Sequence, residues 1–578
     1  MIALSTLARV TQQSSGDWLL LTGGSSKTSV VRVILKGANG TPIFGRWAPQ
    51  PSFNDGAPLI DHVSSPAVVN RDDVVLHDGL LALTNNTLTP REAVREDLLF
   101  VRRVLDAAEI PFLLVRGEDE TPVLAIDMKN RKALRLALIA ACQNEPFYVK
   151  PARIKANGTR VASDERDTPV LVADGVLTPV IKAKAFVIFR PRVEPAGRLR
   201  FDEPFGVRIE LWEYMRNEVV APNPNALMRR WLPSNEAIND TVELHGEDWP
   251  TLRGMFDRLA HDIPFEIDLV FSWVDGAEVE WQKARAAHMA NFVVGEGDDS
   301  EARFRQLDEL KYALRSVHQY APWIRNIYIA TDSPRPKWLA EHPRVTLMRS
   351  EDFFERHDDL PTHNSHAVES QLHNIPGISE HFLYSNDDMF FGRHVSPSMF
   401  FSPGGISKFI EARTRIGMGE SSVQRSGFEN AARVNRRLLQ QKFGATITRH
   451  LEHAATPLRV SVMRELEAEF PEDFARTSAS AFRQATDISV TNSLYHYFAL
   501  LSGKAIVQTE AKVKYVDTTS IEGLRKMRSL LRKRSSDFFC LNDGSFPEIS
   551  AEDRAAAVRS FLDEYYPIPA PWELPEAE

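Results

Sequence analysis

The sequence predicts an α/β protein whose second half holds a mostly parallel, doubly wound sheet, and three observations carry that expectation. Apolar runs of strand length, 267–273, 327–331 and 382–384, each end abruptly in polar residues. Helical periodicity separates them, as in Leu307, Leu310, Leu314 and Val317, and strands alternating with helices favour parallel pairing through crossovers. The runs deliver acids to loops, at Asp275, Asp332 and the triplet Asn386-Asp387-Asp388, and ligands of such sheets collect at strand ends.

At 578 residues the chain exceeds one ordinary core, and two to four domains are expected. Hydrophobic residues make up 43% and charged residues 25%, enough for sizeable cores and no sign of pervasive disorder. The net charge of −9 argues against a protein that coats nucleic acid. Cys142 and Cys540 lie far apart, which suits a reducing compartment and offers neither a disulfide scaffold nor a thiolate metal cluster. The first residues show no basic start followed by a long apolar run, and no stretch is apolar enough to span a bilayer. A cytoplasmic location is therefore expected, with peripheral attachment to a membrane assembly left open.

Taken in order, residues 1–85 alternate short apolar runs with Gly, Pro, Ser and Asp, and read as strands and turns. At Thr89 the pattern changes. Pro90 and an acidic first turn open a helix through Leu98, Val101 and Leu105, with a strand at 110–115, a strand at 123–126 and a helix at 130–142. An accessory α+β region is thus expected over 86–240, richer in strand in its later half. Asp127, Asp164, Glu165 and Asp167 read as surface or loop residues. Residues 221–225, followed by Arg229 and Arg230, read as a linker or hinge. A catalytic portion is expected over 265–545, with a helical insertion or lobe at about 420–535 and a tail at 546–578.

Within that portion, Asp275 and Gly276 close the first strand in a tight loop. Arg303 and Arg305 precede the helix carrying Leu307, where guanidiniums could meet a phosphate, while Lys311 reads as part of a solvated helix face. Asp387 and Asp388 stand between apolar runs, so they repel each other and are costly to desolvate unless a cation or hydrogen-bond donors compensate them. A divalent metal with a phosphate ligand answers that need. The ordinary alternative is a solvated turn, in which Asn and Asp are common.

The blocks from Ile267 to Gly276, Asp308 to Ser316, Ala321 to Asp332, Leu360 to Ser365 and Tyr384 to Met389 resemble conserved blocks of the Stealth proteins. Further on, His450-Leu-Glu-His453, the run from Met463 to Phe474, Phe482 to Asp487 and Phe538 to Gly544 resemble the family's third and fourth blocks. The resemblance covers about 265–545. It implies a GT-A-like catalytic fold and transfer of a hexose-1-phosphate, or an N-acetylhexosamine-1-phosphate, from a nucleotide sugar to a glycan hydroxyl in exopolysaccharide or capsule synthesis. By motif position the family's essential residues fall on Glu369, Asp388, His453 and Arg483. The family has His closely followed by Pro in the third block, whereas here His453 precedes Ala-Ala-Thr-Pro457 and His450 stands nearby.

The resemblance also implies donor contacts at Trp273, Asp275, Gly276, Arg303, Asp332 and Asn386. Asp387 and Asp388 would hold Mg²⁺ or Mn²⁺, Arg483 would face charge on the transferred phosphoryl group, and Glu369 or His453 would be the base. The implied partners are a nucleotide sugar such as a UDP-sugar, a glycan acceptor and, at the inner face of the plasma membrane, a polysaccharide-export assembly. Two other classes stay open: a metal-dependent glycosyltransferase releasing nucleoside diphosphate, and a non-catalytic polysaccharide-binding protein.

Overall fold

The computed structural model describes residues 9–12, 18–21, 66–117, 121–152, 168–177, 180, 182–276, 307–544 and 547–575. Arg303 and Arg305, and the acids at 164, 165 and 167, lie outside the described residues. The chain divides into two compact units, Met1–Val63 and Ser64–Glu578. In the first, the described residues are an antiparallel pair, Arg9–Gln12 with Trp18–Leu21.

In the second unit a short helix, Pro66–Val69, precedes the hairpin Val74–His77 and Leu80–Thr84. Asp78 and Gly79 both take positive φ, the two-residue turn whose twist suits a hairpin. Leu80–Thr84 also pairs in parallel with Arg192–Val193, so residues before 85 share a sheet with the accessory region. The helix Pro90–Ala107 opens on a capping box, Thr89 accepting from the Glu92 amide while Glu92 accepts from the Thr89 amide at 2.8 Å. Leu98, Val101 and Leu105 pack with Leu134 and Leu138 of the helix Arg131–Ala141 over Ile126, Ile188 and Ile209. Those three come from a mixed sheet in which Val207–Tyr214 runs parallel to Pro122–Asp127 and antiparallel to Ala185–Phe189.

The segment 221–225, read from sequence as a linker, is built into this region instead. Asn223 donates to the buried Glu210 at 2.8 Å, and the Asn225 side chain accepts from the amides of Leu227 and Met228. Asparagines that read as a hinge instead bond an interior strand and cap a local turn. The next hairpin, Asn239–Leu244 with Glu247–Leu252, also belongs to the region, since Trp249 is fully buried in the same core.

The central sheet of the second half has the order Val345–Met348, Ile327–Ala330, Ile267–Ser272, His381–Asn386, Thr456–Arg459. The first four are parallel and the last is antiparallel. The chain winds outward from Ile267–Ser272 to one edge, then returns to place His381–Asn386 on its other side. That reversal makes a crevice at the carboxyl ends of these two strands, with Ser272 opposite Asn386. At their other ends the buried Asp268 accepts from Arg325 at 2.8 and 2.5 Å and from the amides of Asn326 and Ser379. One carboxylate thus fastens the bottoms of the strands and leaves the tops for chemistry.

Met389–Phe391 continues from the Asn386 strand and pairs antiparallel with Phe538–Asn542, which is itself parallel to Val513–Asp517. The helices Gly427–Phe443, Val460–Glu469, Pro471–Ser478 and Tyr495–Leu501 fill much of 420–535, but the same stretch also supplies the edge strand Thr456–Arg459. Residues after 546, set apart from sequence as a tail, are integral to the fold. The Tyr565 and Tyr566 hydroxyls donate to the carbonyls of Gly392 and Phe391, and Arg315 grips Glu573 through two bonds of 2.7 Å. Trp572 is fully buried. We therefore expect Trp572→Ala to lower unfolding free energy by about 3–5 kcal/mol in chemical denaturation. An unchanged midpoint would show the segment to be dispensable.

Candidate active site

Asp387 and Asp388 form the two-residue turn between His381–Asn386 and Met389–Phe391, at the mouth of the crevice. Asp388 is clamped on one side. Its Oδ2 receives the Cys540 thiol and the Asn542 amide, each at 3.3 Å, while its carbonyl accepts from the Leu541 amide. Cys540 and Asn542 lie two apart on one strand and so face the same side. The other oxygen, Oδ1, is buried and finds no hydrogen-bond partner among the described residues.

Electrostatics follow from this crowding. Burial pushes the Asp388 carboxyl up to about 6, the Cys540 hydrogen bond opposes the rise, and Glu309 and Asp543 add to it. Burial raises Asp387 well above the usual carboxylate range, followed by repulsion from Asp388 and Glu309.

A second acid sits behind the turn. Asn364 caps the helix Ser365–Gln371 by accepting from the His366 amide, and that helix carries Glu369, 3% exposed. Thr491 donates to Glu369 Oε2 at 2.6 Å, and the Tyr384 hydroxyl lies 3.3 Å from Oε1 and 2.9 Å from Asn386 Oδ1. Glu369 is thus joined through Tyr384 to the residue that precedes the Asp387-Asp388 turn. Burial raises its pKa, opposed by Thr491, then by the charge of Arg483, then by Tyr384 and Ser365. Arg483 donates to Ser365 Oγ at 2.7 Å and lies against Gly427, where an added Cβ would come within 2.7 Å of the arginine Cδ.

His453 stands beside Tyr515, ring centroids 5.2 Å apart and nearly edge-on. The Tyr515 hydroxyl is raised by burial and then by the charges of Cys540, Asp517 and Asp388. Burial lowers His453, and the neighbouring His450 lowers it further. His450 itself stacks on Phe428 at 4.8 Å.

The residues expected at the donor fare differently. Asp275 is partly exposed, and its amide bonds Ser333 Oγ at 2.8 Å, tying two strand-end loops together. Gly276 is buried just beyond it. Trp273 is 5% exposed and packs in the sheet's apolar cluster. Asp332 is exposed, but both its oxygens accept from Ser350, fastening the turn after one strand to the helix Ser350–Phe353. Cys540, read from sequence as a small packing residue, touches Asp388. Tyr384, Thr491, Asn542 and Glu309 were not anticipated as members of the site. For Asn542 the signal was present, as a strand position in register with Cys540.

The donor set suits a hard divalent cation held partly by substrate. It offers an unpartnered buried carboxylate oxygen on Asp388 and an adjacent acid, Asp387. Among the described residues no cluster of three or more His, Cys, Asp or Glu could hold a metal by itself. Mg²⁺ characteristically takes one or two carboxylates and completes its shell with phosphate oxygens and water.

Four stretches match the conserved regions of Stealth proteins: region 1 over 265–292, region 2 over 303–409, region 3 over 452–500 and region 4 over 528–578. The chain is 54% identical over 525 residues to exopolysaccharide phosphotransferase CpsY of Mycobacterium tuberculosis, covering 91% of this chain and 96% of that one. It belongs to the Stealth family. An exopolysaccharide phosphotransferase of Nocardia farcinica is 52% identical over 498 residues, covering 86% of this chain and 90% of its own. Among solved structures, the galactosyltransferase LgtC matches 54% of this chain and 98% of its own at 12% identity and a TM-score of 0.27, too distant to carry an argument.

The site draws on each Stealth region. Region 1 supplies the Ile267 strand, region 2 Glu369 and Asp388, region 3 His453, Arg483 and Thr491, and region 4 Cys540 and Asn542. Region 4 extends to 578 rather than stopping at 545, in keeping with the buried Trp572. An alignment over 91% of the chain also takes in most of the residues before 265, which the sequence had matched to nothing.

The turn Val490–Leu494 that carries Thr491 is held from beneath by His496. Full burial pushes this imidazole down to about 3, and its Nε2 donates to the Thr491 carbonyl at 3.0 Å. The unfolded chain, with a pKa near 6.5, binds the proton more readily between those values, so stability falls as pH falls below about 6.5. We expect His496→Gln, which can still donate to that carbonyl, to make the fall in melting temperature between pH 7 and 5 shallower. An identical slope would place the acid sensitivity elsewhere.

Proposed function

We propose that this chain, with a GT-A-like catalytic half, transfers a hexose-1-phosphate or N-acetylhexosamine-1-phosphate from a nucleotide sugar, in the first instance a UDP-sugar, to a glycan hydroxyl. The observation that carries the reading is the juxtaposition in the crevice: buried Glu369 linked through Tyr384 to the Asp387-Asp388 turn, with the Arg483 charge acting on the same glutamate. Relatives named exopolysaccharide phosphotransferases support it.

In this reading the acceptor oxygen attacks the β-phosphorus of the donor. A new P–O bond forms, the bond from that phosphorus to the bridging oxygen breaks, and nucleoside monophosphate leaves with the electron pair. Glu369 or His453 takes the hydroxyl proton, and Arg483 offsets charge on the transferred phosphoryl group. Asp388, with Asp387, would hold Mg²⁺ or Mn²⁺, which when bound supplies positive charge to the diphosphate. Asp275 and Asn386 flank the donor at the two strand ends. The work is done on the cytoplasmic side, beside a membrane polysaccharide-export assembly.

A donor screen that reads both released nucleotide and product mass tests the reaction. Nucleoside monophosphate with a product heavier by sugar plus phosphate supports it, nucleoside diphosphate indicates glycosyl transfer, and neither under many donors indicates a binding protein. We expect Asp388→Asn and Glu369→Gln to lower kcat by roughly a hundredfold or more, the scale of a lost acid, base or metal contact, with melting preserved. Near-normal turnover in either would make that residue structural. Removal of divalent cations with EDTA should abolish turnover, and Mg²⁺ or Mn²⁺ should restore it. Full activity in a metal-free assay would remove the cation from the mechanism.

A further inference from the structure

Val513–Asp517 and Phe538–Asn542 are parallel neighbours joined by the helix Ile521–Lys533. Because strands and crossover helix run in opposite directions, the helix begins at the catalytic end of the strands. Asp517 pairs with Asn542, which contacts Asp388, and the Ser520 hydroxyl that caps the helix donates to the Asp517 carbonyl at 3.0 Å. Gly523 lets the first turn approach so closely, since a Cβ there would meet that same carbonyl. From this start the helix leads away from the site for about 20 Å at 1.5 Å per residue.

Its inner face is used up. Leu524, Met527 and Leu530 join the apolar core. Its outer face carries Arg525, Lys526, Arg528, Arg532 and Lys533, all exposed. Arg525 lies 3.6 Å from Glu522, and the other four have no ion-pair partner among the described residues. Arg532 and Lys533 sit in the last turn, where cations complement the helix dipole, but Arg525, Lys526 and Arg528 stand in the first two-thirds without that support. Neighbours at i, i+3 and i+4 of like charge repel one another. In a chain of net charge −9, such a strip calls for an external anion.

We propose that this helix is a track for the anionic product, a glycan chain carrying repeated phosphodiesters, as it leaves the catalytic crevice. The proposal rests on the sugar-1-phosphate reading above. Cations spread along the exposed side of a helix match a linear polyanion, whereas the helix's one exposed large apolar side chain, Ile521, is too little to anchor it in a bilayer.

The test uses the full chain and the variant Lys526→Gln, Arg528→Gln, Arg532→Gln, Lys533→Gln, whose melting should match the parent because all four side chains are exposed. The probe is poly(glycerol phosphate), with neutral dextran and phosphatidylglycerol vesicles as controls. Parent binding to the phosphate polymer should weaken steeply with salt, as for other polyanions. The variant should bind at least tenfold more weakly and make shorter product at an equal initial rate of nucleoside monophosphate release. Equal binding by the two proteins overturns the track, as does a parent that holds the vesicles but not the polymer. Nucleoside diphosphate in the release assay overturns the reaction on which the track rests, whereas unchanged polymer binding beside nucleoside monophosphate release overturns the track alone.

Discussion

Repulsion among carboxylates at the end of one parallel strand is the constraint on which the rest of the second half turns. Asp388 feels Glu309 and Asp543, and Asp387 feels both Asp388 and Glu309. A carboxyl held at about 6 rather than near 3.8 carries a penalty on its ionised form on the order of 3 kcal/mol, several times the worth of a typical surface ion pair. Compensation by protein is one-sided: Cys540 and Asn542 satisfy one oxygen of Asp388 and leave the other bare. In the proposed reading, a cation with its phosphate would meet that bare oxygen.

The same geometry separates what the sequence could say from what it could not. Strand ends were legible because apolar runs stop abruptly at Asp275, Asp332 and Asn386, and the runs lie within the strands observed or one residue beyond them. Yet periodicity places a residue only on a strand or loop and does not assign its bond. Asp332 and Asp275 look alike in sequence, but the first spends both oxygens on Ser350 while the second lies at the central crevice. Trp273, which the family resemblance puts at the donor, packs instead in the apolar cluster just past the strand's end.

Long-range contacts were harder to read. Thr491 reaches Glu369 across 122 positions and Cys540 reaches Asp388 across 152, distances over which a single sequence carries no register. The segment 221–225 and the residues after 546 failed for a related reason. Pro, Asn and charged residues are ordinary in linkers and tails, and only their partners, Glu210 in one case and Arg315 in the other, turn them into framework. Family resemblance supplied the positions of Glu369, Asp388, His453 and Arg483, and physical reading supplied what surrounds them.

Tyr384 shows how the two halves of the site are coupled. It lies on the strand that ends in the acidic turn, two residues before Asn386, so the strand's own alternation points both side chains to one face. From there its hydroxyl reaches Asn386 in one direction and Glu369 in the other, although a phenol has a single proton to donate. When Tyr384 donates to Asn386, Glu369 keeps Thr491 and Ser365 as hydroxyl donors and is held closer to neutrality by burial. When it donates to Glu369, the anion gains a third donor. The position of one hydrogen therefore biases the charge of the buried acid according to how Asn386 is engaged at the mouth of the crevice, which would couple occupancy of the strand end to Glu369 if it serves as the base proposed above.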